Sequence, residues 1–359
     1  MGFRIEKVSE VSQIENVLPG ITEEYKPHLP DNVIELPVLK EYSTIEILKS
    51  RPVSNFMTEY LKEALPVLDE EYRLLEVLGS GGMANVFKAE KNGSYYALKL
   101  LKDELLDEKR LSRFKSEIDF MKKFSSHPNI LSIIDSGTYM GRPCIVEEFA
   151  DGKTLHEKIK TIHPDKLIQY MIQISKALNF IHKNGCIHRD LKPENVFLVG
   201  EFAKLGDFGI TKSINSSNGS GHITSDGIVL GTLAYMSPEE AKQALEPEDN
   251  FVQTSQSDIY SIGVILYEGL TGQLPILMEK NNSEKVSIIA LLRKISTIQP
   301  KPVSEMNPGI NSYLNAVVMR LLAKDPHERS KFFRDAEAVA EKLTKYLESG
   351  QITIEDKAA

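Results

Sequence analysis

The sequence predicts an α+β protein with two lobes, a small β-rich lobe that contains one main helix and a larger, mostly helical lobe. Between residues 72 and 150, short apolar runs alternate with turn residues, a pattern typical of strands. After Asp151-Gly152, apolar residues recur at the spacing of amphipathic helices instead. The chain has 359 residues, of which 41% are hydrophobic, and this is enough to bury one large core or two smaller ones.

The small lobe is predicted over residues 71–150. Its first strand runs into a glycine-rich turn, and its second and third strands are joined by Asn92-Gly93, a strong hairpin signal. A helix is predicted where Phe114 and Ile118 share one apolar face. The predicted elements are strands at 72–78, 86–89, 95–100, 130–134 and 143–149, and a helix at 104–124.

The larger lobe is predicted over residues 151–347, followed by a flexible tail at 348–359. Its clearest helix lies at 165–183, because apolar residues form a stripe along it, Pro164 precedes it and Gly185 ends it. Further helices are predicted at 258–271, 287–295, 313–322 and 334–347.

Residues 1–70 carry no recognisable chemistry. They contain prolines between short apolar runs, and one helix is predicted at 54–65, capped by Ser54 and stopped by Pro66. A helix this short is marginal in isolation, so its apolar face is expected to pack on the next domain. The segment is therefore predicted to be an N-terminal extension that docks a partner, regulates the lobes or simply braces them.

The bulk composition narrows the function classes. The net charge is −8, so nucleic-acid partners are not expected, because nothing would offset phosphate repulsion over a wide surface. No apolar stretch approaches the ~20 residues of a membrane-spanning helix. Cys144 and Cys186 are the only cysteines, and neither lies in a Cys-x-x-Cys pair, which favours a cytoplasmic location. The sequence leaves open whether the protein is delivered into another cell.

A glycine-rich segment at the start of the small lobe predicts a nucleotide site. Glycines let a strand–turn–strand backbone approach a triphosphate and point N–H groups at its oxygens. A plain glycine-rich hairpin is the alternative interpretation, and Ala84 stands where loops of this spacing usually have a third glycine. The predicted contacts are Gly79, Ser80, Gly81, Gly82, Met83 and Ala84, with Val86 beneath the base.

A lysine on the third strand is the next candidate. Lys99 follows Ala97 and is flanked by apolar residues, and a buried ammonium without an anion would be costly. Nucleotide phosphates can supply the anion, and Glu117, in the helix that follows, can hold the lysine in place. A surface lysine and a solvated helix glutamate remain the alternative interpretation of this pair.

The most specific pattern is the run at 187–196. In it Asp190 can accept the proton of an attacking hydroxyl, Lys192 can neutralise a transferring phosphoryl group, and Asn195 can ligate Mg²⁺. Asp207, the first residue of an Asp-Phe-Gly triplet, is the main metal ligand predicted. Because Mg²⁺ usually takes one or two protein oxygens together with phosphate and water, Asn195 and Asp207 suffice.

Residues 72–345 resemble a eukaryotic-like (Hanks-type) serine/threonine protein kinase, and the Gly-Gly-Met stretch resembles bacterial members of that family. The motifs stand in the family's order, namely the glycine loop, Ala97-Leu98-Lys99, Glu117, His127-Pro128-Asn129-Ile130, His188-Arg189-Asp190, Asp207-Phe208-Gly209, Gly231-Thr232, Ser237-Pro238-Glu239, Asp258 and Arg329.

The resemblance implies the two-lobe protein kinase fold. It also implies phosphorylation of serine and threonine hydroxyls on protein substrates, with ATP and Mg²⁺ as cofactors and Mn²⁺ as an alternative metal. Glu239 and Arg329 are expected to form a buried ion pair, and Asp258 is expected to brace the catalytic loop. The catalytic roles implied fall on Asp190, Lys192, Lys99, Glu117 and Thr232.

The strand that leads into the hinge departs from the family's usual pattern. If Glu148 begins the hinge, Glu147 occupies the gatekeeper position behind the adenine, where Met, Leu or Thr is normal. A carboxylate there should be hydrogen-bonded, shifted in pKa or turned aside. Backbone groups of Glu148 and Ala150 are then the expected adenine contacts.

The segment at 207–239 is long and rich in serine and threonine. In kinases of this kind, an arginine directly before the catalytic aspartate, here Arg189, often pairs with a phosphate on such a loop. The hypothesis is activating autophosphorylation at Thr224 or Ser225, with a homodimer as the partner state for transfer in trans. Simple solvation of the loop is the alternative.

Two other functions stay open. A pseudokinase scaffold would share the fold. The presence of Lys99, Asp190, Asn195 and Asp207 argues against a pseudokinase, whereas the unusual Glu147 leaves this alternative open. A small-molecule kinase would share the plan of the small lobe. That class lacks the combination of this catalytic loop with a Gly-Thr…Pro-Glu segment, and both are present here.

Overall fold

The structure, a computed structural model, describes residues 66–68, 71–80, 84–102, 118–119, 122–207, 233–247, 253–277 and 288–349. The extension up to residue 65, with its predicted helix, lies outside these residues. So do most of the helix predicted at 104–124 and the tail from residue 350. Those predictions stay predictions.

Five antiparallel strands form the small lobe, in the order β1-β2-β3-β5-β4. Asn92 (φ 53°) and Gly93 (φ 77°) turn the chain between β2 and β3, and Met140 and Gly141 do the same between β4 and β5. Two successive positive φ values match the twist of the flanking strands, which confirms the predicted Asn92-Gly93 hairpin. The strands are β1 Arg73–Ser80, β2 Ala84–Lys91, β3 Ser94–Leu101, β4 Ile133–Tyr139 and β5 Arg142–Glu148.

The strand predicted at 130–134 is displaced, because β4 begins at Ile133. Ile130 instead makes an isolated parallel bridge to Leu205, and its side chain is buried in the core of the helical lobe. The apolar run therefore combines one residue of that core with the start of a strand, and the sequence pattern alone does not separate them.

The segment just before the sheet pairs with the edge strand β4. The Leu68 N–H donates to the Thr138 carbonyl at 2.9 Å, and the Thr138 N–H donates to the Pro66 carbonyl at 2.7 Å. Leu68 is 1% exposed and belongs to the small-lobe core. Glycine is needed at position 137, because a Cβ on Gly137 would lie 2.3 Å from the Pro66 oxygen. The chain before β1 is thus attached to the sheet by both backbone bonds and a buried side chain.

Two long helices, α2 and α4, form the centre of the helical lobe. α2 buries one apolar stripe, whereas α4 is buried along almost its whole length. Gly263 lets α4 pack closely, since a Cβ there would lie 2.8 Å from Leu321 Cβ. The helices are α1 Leu155–Lys158, α2 Pro164–Lys183, α3 Pro238–Leu245, α4 Gln256–Thr271, α5 Ile288–Thr297, α6 Val303–Met306, α7 Ser312–Leu321, α8 Pro326–Phe332 and α9 Ala336–Ser349.

The five helices predicted for this lobe are confirmed as α2, α4, α5, α7 and α9, with ends that differ by about two residues. The short helices and the hairpin of β6 (Val196–Val199) with β7 (Phe202–Leu205) were not predicted. Elements this short show too little of a period to be recognised. Across the described part of the chain, every helix is too short or too polar to span a bilayer.

A buried ion pair links α3 to α8. Arg329 is fully buried and donates to the two carboxylate oxygens of Glu239, at 3.0 and 3.2 Å. The same guanidinium donates to the carbonyls of Gln256 (2.7 Å) and Ala323 (2.9 Å). The predicted pair is therefore present, and the backbone carbonyls supply the further bonds that a buried charge requires.

Replacing Leu68 with alanine should lower the free energy of unfolding by about 2–5 kcal/mol, because it deletes a buried side chain and leaves a cavity. Denaturant unfolding followed by circular dichroism measures the change. Val67→Ala is the matched control, since the neighbouring side chain is 47% exposed, and its expected effect is within about 0.5 kcal/mol. Equal losses for the two variants would contradict the attachment of this segment to the core.

Replacing Arg329 with methionine should cost about 3–5 kcal/mol, because the Glu239 carboxylate loses its buried partner. Arg334→Met serves as the control: the Arg334 side chain is 83% exposed and pairs with Asp335, and such surface pairs contribute only about 0–1 kcal/mol. Unfolding of both variants is compared with that of the parent protein at one pH. A loss for Arg329→Met no greater than that for the control would show that the buried pair does not stabilise the lobe.

Candidate active site

The backbone of the predicted catalytic loop is held by a buried carboxylate on α4. Asp258, 1% exposed, accepts the N–H of His188 at 2.8 Å and the N–H of Arg189 at 2.9 Å. His182, at the end of α2, adds a third bond through Nε2 at 2.8 Å. Burial alone would raise the pKa of Asp258, but the hydrogen bonds it makes with His182 and with the His188 N–H lower the pKa below its ordinary value. The carboxylate is therefore ionised and holds the loop.

His188 connects the catalytic loop to the segment that carries Asp207. Its side chain is fully buried, and burial lowers the pKa of the imidazole, which is therefore neutral. The Asp190 N–H donates to Nδ1 at 3.3 Å, so the ring proton is on Nε2, which donates to the Gly206 carbonyl at 3.1 Å. One imidazole thus fixes the backbone next to both predicted acidic residues.

Two residues at the site have left-handed backbone conformations. Arg189 has φ 66° and Asp207 has φ 51°, values that L-residues rarely adopt and that cost about 1–3 kcal/mol each. Asp207 is a predicted metal ligand, and Arg189 directly precedes Asp190, the predicted catalytic base. The backbone here is held by its N–H bonds to Asp258 and by the hydrogen bonds that the His188 ring makes with the Asp190 N–H and the Gly206 carbonyl.

Side chains of its own loop contact the carboxylate of Asp190. Lys192 Nζ lies 3.2 Å from its Oδ2, and Asn195 Nδ2 lies 3.2 Å from the same oxygen. Asn195 Nδ2 also donates to the Asp190 backbone carbonyl at 2.8 Å. Three of the predicted site residues are therefore in direct contact, and the loop places an acceptor, a cation and an amide together.

The oxygens suited to a hard cation lie at the open end of the β6–β7 hairpin. The Gly206 N–H donates to the Asn195 carbonyl at 2.9 Å. Asn195 lies just before β6 and Asp207 just after β7, so both stand at the same end of the hairpin. Because Asp190 engages the Asn195 amide nitrogen, the amide oxygen is the group available to a cation. The charge of Lys99 lowers the pKa of Asp207, whose side chain is 46% exposed. An amide oxygen and an ionised carboxylate fit Mg²⁺ or Mn²⁺.

Lys99 lies on β3, where it pairs with Val86 of β2 on the same face of the sheet. Its Nζ is 2.7 and 2.9 Å from the two carboxylate oxygens of Glu147, and it also contacts the carboxylate of Asp207. Burial by itself lowers the pKa of Lys99, but the charges of Asp207 and Glu147 outweigh it and the pKa stands above its ordinary value. The ammonium therefore stays charged. Glu117, its predicted partner, lies outside the described residues.

The two ends of the predicted phosphate loop face each other across β1 and β2. Gly79 pairs with Val86 and Ser80 with Asn85, and Ser80 Oγ donates to Asn85 Oδ1 at 2.8 Å. Among the described residues, no atom lies within 4 Å of the position that a Cβ on Gly79 would occupy. Ala84 is the first residue of β2. The remaining predicted residues, Gly81, Gly82, Met83 and Thr232, lie outside the described part of the chain.

The register of β3 and β5 locates the residues predicted to lead into the hinge. Ala97 pairs with Glu147, and β5 ends at Glu148. The predicted bonding of the Glu147 carboxylate is confirmed by its contacts with Lys99, and burial raises its pKa. The Glu148 N–H donates to the Ser132 carbonyl at 2.9 Å, so this N–H is not the hinge group that meets a ligand.

Three contacts at the site were not predicted from the sequence. The Glu148 carboxylate pairs with Lys204 of β7 at 2.8 and 2.9 Å, linking the hinge to the β6–β7 hairpin. His182 bonds to Asp258, and Ser132 bonds to the hinge backbone. The signal for His182 was its position directly after the buried stripe of α2. Lys204 and Ser132 carry no such signal, because their partners come from distant parts of the chain.

Comparison with known proteins agrees with this geometry. Residues 72–342 match the family model described as protein kinase domain. A probable serine/threonine-protein kinase of Clostridium perfringens is 34% identical over 300 residues, which cover 82% of this chain and 41% of that protein. Serine/threonine-protein kinase PrkC of Bacillus subtilis is 34% identical over 275 residues, which cover 74% of this chain and 39% of that protein.

Among solved structures, the PknI kinase domain of Mycobacterium tuberculosis superposes with a TM-score of 0.55 at 22% identity, covering 77% of this chain and 95% of that chain. At this identity the likeness shows the fold alone. The chain spans about two fifths of the length of the curated relatives described above. A family match over 72–342, together with a sheet-and-helix arrangement of the same fold, shows that this chain belongs to the protein kinase family.

Proposed function

We propose that the protein transfers the γ-phosphoryl group of ATP to serine or threonine hydroxyls of protein substrates, with Asp190 as the catalytic base. The observation that supports this best is the cluster at Asp190, whose carboxylate contacts Lys192 and Asn195 on a loop braced by Asp258. The relatives that match most of the chain are named serine/threonine-protein kinases.

The proposed mechanism divides the work between the lobes. Asp190 orients the substrate hydroxyl and accepts its proton as the oxygen attacks the γ-phosphorus, and the bond to the β–γ bridging oxygen breaks. Lys192 and Lys99 balance charge on the phosphoryl oxygens. The oxygens of Asn195 and Asp207 would hold Mg²⁺, or Mn²⁺ as the alternative, and the metal would neutralise phosphate charge.

The remaining nucleotide contacts are assigned to the glycine loop and the hinge. Backbone N–H groups between Gly79 and Ala84 are proposed to meet the phosphates. Val86 and Ala97 are proposed to lie against the adenine, which meets the Glu148 carbonyl and backbone groups of Ala150. Glu117 and Thr232 complete the proposed site, as a partner of Lys99 and as a substrate-side hydroxyl respectively.

We propose that the protein acts in the cytoplasm. Support comes from the low cysteine content: Cys144 and Cys186 are the two cysteines of the sequence, and neither lies in a Cys-x-x-Cys pair.

Asp190→Asn should lower phosphoryl transfer by about 10²–10⁴-fold, because the amide cannot accept the proton. Radiolabelled ATP with Mg²⁺ or Mn²⁺ and a basic protein substrate, followed by phosphoamino-acid analysis, measures the transfer. Asp165→Asn, which changes an exposed carboxylate on α2, is the control and should keep parental activity. Transfer that survives Asp190→Asn would refute the mechanism. Nucleotide binding without transfer by the parent protein would identify a pseudokinase, and label on small hydroxyl compounds alone a small-molecule kinase.

Autophosphorylation of the loop at 207–239 is expected to raise activity, with Thr224 or Ser225 as the acceptor, because Arg189 adjoins Asp190 and can pair with a phosphate. Phosphopeptide mass spectrometry before and after incubation with ATP checks the site, and alanine at both positions should abolish the gain. An autophosphorylation rate per molecule that rises with protein concentration would support transfer in trans within a homodimer. Fully active protein without any loop phosphate would contradict the hypothesis.

A further inference from the structure

Glu147 is a buried carboxylate on β5, an inner strand of the small-lobe sheet. The pairing register of β5 with β3 sets its position. It stands on β5 directly opposite Ala97 of β3, and Lys99 follows two residues along β3. Side chains two apart on a strand share a face, so Glu147 and Lys99 are diagonal neighbours on one face of the sheet. Glu147 is 7% exposed. A carboxylate at such a depth needs a fixed counter-charge.

The contact with Lys99 engages both oxygens of Glu147. Lys99 Nζ lies 2.7 Å from Oε2 and 2.9 Å from Oε1, within the range of charge-assisted hydrogen bonds. The Lys99 side chain is 16% exposed, and that of Glu147 is 10% exposed, so water screens the pair only weakly. Among the described residues, Asp207 is a further charged group here, and it contacts Lys99 from the end of the β6–β7 hairpin.

We propose that Glu147 is a positioning residue for Lys99, a carboxylate carried by the sheet itself that holds the ammonium at the nucleotide site. Because Asp207 is also the proposed metal ligand, Glu147 is the partner that can stay with Lys99 when Asp207 turns to a cation. Its position relative to Lys99 depends on the β3–β5 register and not on the placement of a separate helix. The catalytic meaning of this role rests on the proposed function, but the contact can be tested without phosphoryl transfer.

The direct test measures the proton affinity of Lys99. Competitive labelling of amines with acetic anhydride between pH 7 and 11, followed by mass spectrometry of peptides, reports the free-amine fraction of individual lysines. Glu147→Gln keeps the size of the side chain and removes its charge, so Lys99 should lose proton affinity and label about tenfold faster or more near pH 9, since each unit of pKa changes the free-amine fraction tenfold. Glu147→Asp keeps the charge on a shorter stem and should give a smaller increase.

The matched control is Glu76→Gln on the same sheet. Glu76 on β1 pairs with Lys88 on β2 at 3.3 Å, and the Glu76 side chain is 41% exposed. This variant should leave the labelling of Lys99 unchanged, and so should Glu147→Gln for Lys88. Thermal unfolding of each variant is measured to show that it is folded. If Glu147→Gln does not fold, Glu147→Asp decides, and unchanged labelling of Lys99 in that folded variant overturns the proposal.

Two further arms separate the proposal from its rivals. Glu117→Gln is measured beside Glu147→Gln: a shift of Lys99 labelling in the first and none in the second would overturn the role of Glu147. In steady-state kinetics, Glu147→Gln should lower kcat/KM for ATP at least tenfold while KM for the protein substrate changes less than twofold. Shifted labelling in a protein that transfers no phosphate under any condition would uphold the positioning of Lys99 and refute the proposed function instead.

Discussion

The shape of the catalytic loop depends on one buried carboxylate, that of Asp258. It accepts the N–H groups of His188 and Arg189, two consecutive residues. Both donors point to the same acceptor while Arg189 keeps a left-handed φ of 66°. Burying two such groups without an acceptor would cost about 1–3 kcal/mol each, so the bonds offset the strain of the left-handed residue. Asp190 follows directly, and its orientation is a consequence of this bracing.

The bracing reaches Asn195, a proposed metal ligand, through a short chain of hydrogen bonds. Asp258 lies on α4, which the helical lobe buries along almost its whole length and which therefore cannot shift without repacking. Asp258 binds the His188 N–H, and the His188 ring donates to the Gly206 carbonyl. The Gly206 N–H in turn donates to the Asn195 carbonyl. The small lobe reaches the same region by a separate route, through the contact of Lys99 with Asp207. The hinge adds a second link, because Glu148 pairs with Lys204.

The sequence predicts best where a pattern is long or chemically specific. The helix at 165–183 was predictable because an apolar stripe, Pro164 and Gly185 all agree on it, and it is observed as Pro164–Lys183. The spacing of Asp190, Lys192 and Asn195 predicted that they act together in phosphoryl transfer, and the structure brings them into contact. Their catalytic roles, and that of Asp207, stay predictions.

Other features were not predictable because they depend on contacts between distant residues. The pairing of Lys99 with Glu147 joins positions 48 residues apart and follows from the register of two strands. The bond from the Glu148 N–H to Ser132, which excludes that N–H as a ligand contact, likewise depends on a close approach of chain segments. Ile130 gave a wrong strand start because a residue of one lobe's core adjoins a strand of the other.

The charges gathered at the site bear on the proposal that it takes a nucleotide together with a divalent cation. Lys99 and Lys192 contribute two positive charges, and Glu147, Asp190 and Asp207 contribute three negative ones, so these five groups sum to −1. A bare triphosphate would meet net repulsion there, whereas a divalent cation added to these five groups brings their sum to +1, which attracts phosphate. Lys99 alone cannot reverse this balance, because Glu147 already engages it with both oxygens. The exposed half of the Asp207 side chain is therefore the point at which added positive charge changes the sign of the site, and the buried Lys99–Glu147 pair is the fixed background against which it does so.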